Sequence, residues 1–297
     1  NITGGTGNVG IYTVASGDDL ATGAKITVNN SDSSIGLFAK SSGAVTNTGE
    51  ISASGKSIKA MIAQAATITS TGKVTVDGTA LSDTDGAVGL ASMDGGNLTQ
   101  NHADTSITVD GSASIGVYAD GKVGVPAAVA TALNVTGGTI TAKGGAFNTY
   151  AANSGIITLN GATLNTEPKS LAFYTTDNGK IDFGTGTTKT TANIKGGTDS
   201  NSRGTAFLYK GAGATYTPFT PSAISAWAAA NFAHLNNLKL VMETGSRLFI
   251  AQNVAMDLSN TNPGNLLSGL PTGLVTGSND YKTFMLYLSK LSLNQNI

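Results

Sequence analysis

The acidic side chains that could support catalysis lie in stretches typical of turns. Two close acidic pairs occur, Asp18 with Asp19 and Asp83 with Asp85. Paired carboxylates act as general acid and base in polysaccharide hydrolysis when they lie close together on one face. Both pairs stand among Gly, Ser and Thr, where Asp commonly hydrogen-bonds its own backbone, so the context favours a structural role.

The histidines and glycine pairs give no pattern for metal binding. His102 and His234 are far apart in sequence, and we interpret His102 as a turn residue and His234 as the polar end of a helix. The segment Gly196-Gly197-Thr198-Asp199 approaches the calcium-binding Gly-Gly-x-Gly-x-Asp repeat, but it occurs once and lacks the third glycine. We therefore expect no catalytic residue, no metal and no cofactor.

Composition excludes several classes of function. The 17 basic and 18 acidic residues leave a net charge of −1, and no window concentrates Lys or Arg, so a nucleic-acid partner is not expected. The absence of cysteine excludes disulfides and thiol chemistry. The longest apolar stretch, Val123 to Leu133, is too short for a membrane span of about 20 residues. Because the chain begins at Asn1 without Met, we expect an excised or mature segment of a longer protein.

A short motif recurs along the chain, with a small residue two places before an aromatic one. The copies are Gly10-Ile11-Tyr12, Gly36-Leu37-Phe38, Gly116-Val117-Tyr118, Asn148-Thr149-Tyr150, Ala172-Phe173-Tyr174 and Phe207-Leu208-Tyr209, with weaker ones at Ala60-Met61-Ile62 and Gly89-Leu90-Ala91. Successive copies begin between 24 positions apart (Gly36 to Ala60) and 35 positions apart (Ala172 to Phe207). A repeat of this kind must be interpreted before any single element.

Each repeat contains short runs with a period of two, such as Lys25-Ile26-Thr27-Val28, separated by Gly, Asn, Asp and Ser turns. Stacking successive coils about 4.8 Å apart pairs each strand with its counterpart in the next repeat. We therefore predict an all-β fold, a right-handed parallel β-helix of about ten coils. The alternatives are a β-propeller, whose blades need roughly 40 residues, and an antiparallel sandwich, which does not explain the recurrence.

The solenoid is expected to be continuous, with regular coils over 1–209 and coils with helical and loop insertions over 210–297. Thr220 is a helix N-cap followed by Pro221. The stripe Ile224, Trp227, Ala228, Asn231, Phe232 and Leu235 predicts one helix from Thr220 to Leu235 that packs on the rod. A second interruption covers Asn260 to Asp280.

Interruptions of a solenoid often carry its binding surface. The resulting ligand-binding candidates are Tyr216, Phe219, Trp227, Asn260, Asn262, Asn265, Asn279 and Tyr281, although burial of Trp227 is favoured by its helical spacing. A second candidate surface is an outward-facing aromatic stripe of Tyr12, Phe38, Tyr118, Tyr150 and Tyr174. Strict alternation in Ile115 to Ala119 places Gly116 and Tyr118 on the same side; an internal aromatic stack is the alternative.

The chain resembles the passenger region of large type V autotransporter adhesins, nearest the giant fusobacterial-type outer-membrane adhesins. The likeness rests on the strands Ile35 to Ala39 and Ile115 to Ala119, on Asn47-Thr48-Gly49-Glu50-Ile51, and on the Cys-free, Thr-, Gly- and Asn-rich background. It covers most of the chain, more loosely after Arg203. The resemblance implies display at the cell surface, anchored to the outer membrane through a C-terminal β-barrel, and we expect no segment of that barrel in this chain.

The resemblance also implies function and partners. We expect a non-enzymatic adhesin segment that acts as an extended stalk, continues into flanking coils and does not itself insert into the membrane. Its partners would be a host-cell receptor or glycan, or the surface of another bacterium. The alternatives are a β-helical carbohydrate-active enzyme, either a polysaccharide lyase or a hydrolase, and a pure spacer without its own ligand site.

Overall fold

The chain coils into a parallel β-helix, as the computed structural model shows for residues 1–14, 19–121, 130–199, 202–210, 217–218, 220–252, 254–255, 268–271 and 274–277. Each turn of the coil contributes one strand to each of three sheets that follow the rod. Within these sheets the strand pairs of the described residues are all parallel, as between Leu90 of one turn and Val117 of the next. The predicted all-β parallel solenoid is confirmed.

The first four turns contain β1 (Ile2–Thr3), β2 (Val9–Val14) and β3 (Asp19–Thr22); β4 (Ile26–Asn29), β5 (Ile35–Lys40) and β6 (Ala44–Asn47); β7 (Ile51–Lys56), β8 (Lys59–Gln64) and β9 (Thr67–Ser70); β10 (Val74–Thr79), β11 (Val88–Met93) and β12 (Asn97–Asn101). The next three contain β13 (Ser106–Asp110), β14 (Ile115–Asp120) and β15 (Ala132–Thr136); β16 (Thr139–Lys143), β17 (Phe147–Ala152) and β18 (Ile156–Asn160); β19 (Thr163–Thr166), β20 (Leu171–Thr175) and β21 (Lys180–Asp182).

The eighth turn contains β22 (Thr190–Ile194), β23 (Thr205–Lys210), β24 (Thr217–Pro218), α1 (Pro221–Asn231), β25 (Phe232–Ala233) and a 3-10 turn (Leu235–Asn237). The ninth contains β26 (Leu238–Met242), β27 (Arg247–Gln252) and β28 (Val254–Ala255), and β29 (Val275–Gly277) begins a tenth. We name the sheets I, II and III after the first, second and third strand of the regular turns. Sheets I and II continue past residue 210, through the pairs of β22 with β26 and of β23 with β27.

The core is a continuous apolar column inside the coil. The inward side chains of sheet II include Leu37, Met61, Leu90 and Val117, all fully buried. Each stacks on the equivalent residue of the next turn because register is exact across the pairs. Repetition of one side-chain position along the axis therefore replaces the cross-links that the sequence lacks.

In turns two to seven the first residue of the recurring motif is buried near the start of its sheet II strand. At Gly36 an added Cβ would lie 2.6 Å from the carbonyl oxygen of Ala60 and 3.1 Å from Cγ2 of Ile51. Gly116 is buried in the same way, so the predicted alternation that placed Gly116 outward with Tyr118 is wrong. Gly116 and Val117 both point inward, because the chain bends from sheet I into sheet II just before the regular alternation of β14 begins.

Buried polar side chains form hydrogen bonds inside the bend between sheets III and I. Asn47 is fully buried, and its Nδ2 donates to the carbonyl of Gly49 at 3.0 Å and to Oγ of Ser70 at 3.1 Å. Ser70 pairs in register with Asn47 and with Gln100 of the fourth turn. Nε2 of Gln100 donates to the carbonyl of Gly72 at 2.8 Å. These amides satisfy turn carbonyls that the sheets leave unpaired.

The helix begins as the sequence predicts but ends earlier. The side chain of Thr220 accepts a hydrogen bond from the Ala223 amide at 3.2 Å, which is an N-cap. The helix ends at Asn231; Phe232 instead pairs with Ile181 as a parallel strand, so a helix reaching Leu235 is wrong.

The competing strand pairing explains this early end. The buried ring of Phe232 packs against Phe173 and Phe183 of the core, which strand geometry permits. His234 lies beyond the helix in a left-handed conformation, so its assignment to the helix end is also wrong. No helix among the described residues has the length and apolar character needed to cross a membrane.

Candidate ligand-binding face

The aromatic residues of the predicted stripe lie in one register column on the outside of sheet II. Tyr12 pairs with Phe38, and Tyr118 pairs with Tyr150, which pairs with Tyr174. Ile62 and Ala91 occupy the column between the two groups. The flanking residues of the same strands, such as Val117 and Ala119, are fully buried. The column therefore faces outward, and we call Tyr118, Tyr150 and Tyr174 the tyrosine ladder.

The rings of the tyrosine ladder contact one another along the rod. The centroids of Tyr118 and Tyr150 are 5.3 Å apart, and those of Tyr150 and Tyr174 are 4.5 Å apart with planes inclined by 23°. Phe147 adds a further ring, 5.6 Å from Tyr174 and 6.2 Å from Tyr150. The four rings form one half-buried aromatic surface over turns five to seven.

Phe147 was not among the candidates from the sequence. It stands at the first position of β17 and pairs in register with Ile115 and Leu171. The signal that could have found it is the apolar residue opening several sheet II strands, Ile35 and Ile115 among them. That position also faces outward, next to the aromatic column.

Polar side chains border the ladder on one side. The Tyr118 hydroxyl donates to Oδ2 of Asp120 at 2.6 Å, and Nδ2 of Asn153 donates to Oδ1 of the same carboxylate at 2.6 Å. The Tyr150 hydroxyl lies 3.3 Å from Oγ1 of Thr176. Apolar ring surface thus lies beside a carboxylate, an amide and hydroxyl groups, and this combination recognises partners with both apolar and polar groups.

The hydroxyl groups of Tyr118 and Tyr174 stay protonated at neutral pH. Partial burial raises the pKa of Tyr118 above the ordinary tyrosine value, and the hydrogen bond to Asp120 raises it further. Partial burial also raises the pKa of Tyr174, with smaller contributions from Tyr150 and Asp177. Loss of charged-group solvation disfavours the phenolate in both cases. Tyr118 and Tyr174 therefore present neutral side chains whose hydroxyl groups can donate hydrogen bonds.

The acidic pair Asp83 and Asp85 does not form a convergent pair. Asp85 accepts a hydrogen bond from Oγ of Ser57 and lies 3.6 Å from Nζ of Lys59, both in the third turn. Asp83 accepts from Oγ of Ser112, in the fifth turn, at 2.9 Å. Each carboxylate takes a partner on a different neighbouring turn, so these bonds anchor the loop between β10 and β11. Of the other pair, Asp19 lies in β3 and Asp18 lies outside the described residues.

Each histidine side chain contacts one polar group of an aspartate residue. Nδ1 of His102 accepts from the Asp104 amide at 3.1 Å, which confirms its place in a turn. Nδ1 of His234 lies 2.7 Å from Oδ1 of Asp182. No group of three or more His, Cys, Asp or Glu side chains able to hold a metal ion occurs in the part of the chain that the structure describes.

Trp227 belongs to a cluster of aromatic rings in the eighth and ninth turns. Its ring lies 5.0 Å from Phe232 and 5.8 Å from both Phe207 and Phe249, and it is partly buried. Packing against the rod is thus the observed role, and contact with a ligand stays a prediction. The other insertion candidates lie outside the described residues: Tyr216, Phe219, Asn260, Asn262, Asn265, Asn279 and Tyr281.

The chain matches no protein-family model, no curated protein and no solved structure.

Proposed function

We propose that this chain is a non-enzymatic segment of a bacterial cell-surface adhesin, a stalk that also contacts ligand through the outer face of sheet II. The tyrosine ladder is the observation that carries the proposal. Outward tyrosines in consecutive turns are an unusual use of a solenoid surface whose other outer positions are mostly Thr, Ser and Asn. Tyrosines anchor protein interfaces because they bury a large area with few rotatable bonds.

The architecture suits a stalk because each turn binds only its neighbours, and length grows with the number of turns. Ladder positions repeat along the axis, so a partner lying along the rod meets several equivalent rings. The expected partners are a host-cell receptor or glycan, or the surface of another bacterium. Of the two acidic pairs that an enzyme could use, Asp83 and Asp85 do not converge, since they accept hydrogen bonds from different turns.

The experiment compares ladder and control variants in cell binding. The ladder variant carries Tyr118→Ser, Tyr150→Ser and Tyr174→Ser. The control carries Thr108→Ala, Thr141→Ala and Asn165→Ala, on the outer face of sheet I in the same three turns. Labelled proteins are applied to cultured epithelial cells and to a panel of bacteria, and far-ultraviolet circular dichroism confirms folding.

We expect the parent and the control variant to bind alike, and the ladder variant to lose at least about tenfold in affinity, the loss of one strong anchor. A parent chain that binds neither cells nor bacteria would favour a pure spacer. If the ladder variant binds as strongly as the parent, the ligand site lies outside the tyrosine ladder. Labelling of intact source cells by an antibody against the chain tests surface display separately.

A further inference from the structure

A polar groove lies on a different face of the rod, at the corner between sheets I and II in turns two to four. Its volume is about 300 Å³. The lining residues are Asn30, Asp32, Ser54, Gly55, Lys56, Asp77 and Thr79. The lining includes no aromatic or aliphatic residue, which distinguishes this groove from the tyrosine ladder.

The charged groups of the groove stand on successive turns. Asp32 follows β4 of the second turn, Lys56 ends β7 of the third, and Asp77 lies in β10 of the fourth. At a spacing of about 4.8 Å per turn, the backbones of Asp32 and Asp77 are offset by roughly 10 Å along the rod axis. A calcium ion needs its oxygens within about 2.6 Å, so one cation does not suit both carboxylates. The spacing suits a ring-sized ligand with polar groups around its edge.

The groove offers both donors and acceptors to such a ligand. Oδ1 of Asp32 accepts from the backbone amide of Lys56 at 3.0 Å, which fixes the carboxylate against the wall. The Lys56 and Asp77 side chains are exposed, and neither forms an ion pair within the described residues. A fixed carboxylate, a free carboxylate and a free ammonium therefore face the same space.

The walls of the groove are rigid because backbone contacts hold them. Gly55 has a φ of +140°, and an added Cβ would lie 3.0 Å from the Ser31 nitrogen. This position requires glycine for both conformation and space. The Asn30 amide donates to Oγ of Ser54 at 3.2 Å, and the Ser31 amide donates to the Ser54 carbonyl at 3.3 Å. Fixed walls reduce the entropy lost when a ligand binds.

We propose that this groove binds a saccharide unit that carries no anionic group. Sugar hydroxyls donate to carboxylates and accept from ammonium, amide and hydroxyl groups, which are the groups that line the groove. Two Asp and one Lys give the lining a net charge of −1, which disfavours phosphate, sulfate or carboxylate ligands. The inference deepens the proposed adhesin function by naming a ligand class, at a site separate from the ladder.

The test is isothermal titration calorimetry of the full chain with three probes. These are triacetylchitotriose, which is neutral; chitotriose, which carries free amines; and a sulfated heparin trisaccharide. The variant Asp32→Asn with Asp77→Asn keeps an acceptor for the Lys56 amide and alters no other hydrogen bond seen at either side chain. Asp104→Asn is the matched control, since Asp104 is an exposed aspartate in a turn away from the groove.

We expect at least one unsulfated probe to bind, the double variant to bind it at least tenfold more weakly, and the Asp104→Asn variant to match the parent. Preference for chitotriose identifies an amine-bearing sugar, and preference for triacetylchitotriose a neutral one. The inference fails if neither unsulfated probe binds at millimolar concentration or if the sulfated probe binds best. It also fails if the double variant binds with the affinity of the parent. The ladder variant leaves the groove intact. Binding of the saccharide probes by that variant therefore distinguishes the groove proposal from the ladder proposal.

Discussion

Tyr150 and Tyr174 stack on successive turns of the rod with ring centroids 4.5 Å apart, although both rings lie outside the core. That distance is close to the spacing of strands in a sheet, so exact register alone brings equivalent outward rings into contact. The ladder is therefore both a surface for a partner and a set of cross-turn contacts that stabilise the coil.

Replacing Tyr150 by Ala removes the central ring of the ladder. Its ring contacts Tyr118, Tyr174 and Phe147, and each aromatic pair contributes about 0.5–1.5 kcal/mol. We expect the free energy of unfolding to fall by about 1–3 kcal/mol in guanidinium denaturation, less than the full sum of the three pairs because the rings are partly exposed. Tyr12→Ala is the comparison, since Tyr12 is 55% exposed and Phe38 is its ring partner in the structure. A loss in Tyr12→Ala as large as that in Tyr150→Ala would contradict a stabilising ladder.

The tyrosines with raised pKa make stability depend on alkaline pH. Below about pH 10 both the folded and the unfolded chain keep Tyr118 protonated, so the raised pKa costs no folding stability there. Above that pH the unfolded chain ionises first, and stability falls as pH rises towards the folded-state pKa. Tyr174, and Tyr209 through its burial, add to the same trend.

Asp120→Asn tests the assigned cause at Tyr118. The change removes the carboxylate that accepts the hydroxyl hydrogen bond and raises the pKa, so Tyr118 should ionise at lower pH than in the parent. The phenolate absorbance in an alkaline titration reports this shift, with Asp104→Asn as the control. An unchanged titration curve would assign the raised pKa to burial alone.

The sequence predicts the solenoid because each turn repeats one strand pattern, as between Thr27-Val28 and Ser52-Ala53, which the structure pairs directly. The motif fails at the eighth turn. Phe207 pairs with Phe173, so Leu208 takes the outward column and Tyr209 is buried. The recurring motif aligns Tyr209 with the aromatic residues of the earlier turns. With aromatic residues at both Phe207 and Tyr209, spacing alone does not determine which one enters the core.

The groove gives no sequence signal at all. Asp32, Lys56 and Asp77 belong to three different repeats, and each stands in an ordinary turn or strand context. They face one space because stacking places residues of successive turns within a few ångströms of each other along the axis. The outward direction of Tyr118, by contrast, follows from its hydroxyl, which finds Asp120 at the surface and has no polar partner in an aliphatic core.

Gly36→Val tests the close approach at the corner of sheet II. The added side chain would meet the carbonyl oxygen of Ala60 at 2.6 Å, a backbone atom that moves only if the turns separate. We expect a loss of about 1–3 kcal/mol, typical of overpacking. Gly186→Val is the control, because nothing lies within 4 Å of an added Cβ there. Equal stability of the two variants in thermal unfolding would show that the corner has room to relax.

Thr220→Ala removes the N-cap of α1 and tests how far this cap stabilises the first turn of the helix. The Thr220 hydroxyl oxygen accepts from the Ala223 amide at 3.2 Å, and loss of such a cap costs about 1 kcal/mol. The helix is tied to sheet II where Oγ1 of Thr175 donates to Oδ1 of Asn231 at 2.8 Å, and Ile224 is fully buried. We therefore expect faster amide exchange in the first turn of α1, while exchange near Asn231 changes little. Thr220→Ser keeps the acceptor and should match the parent; equally fast exchange in Thr220→Ser would show that the hydroxyl is not the stabilising group.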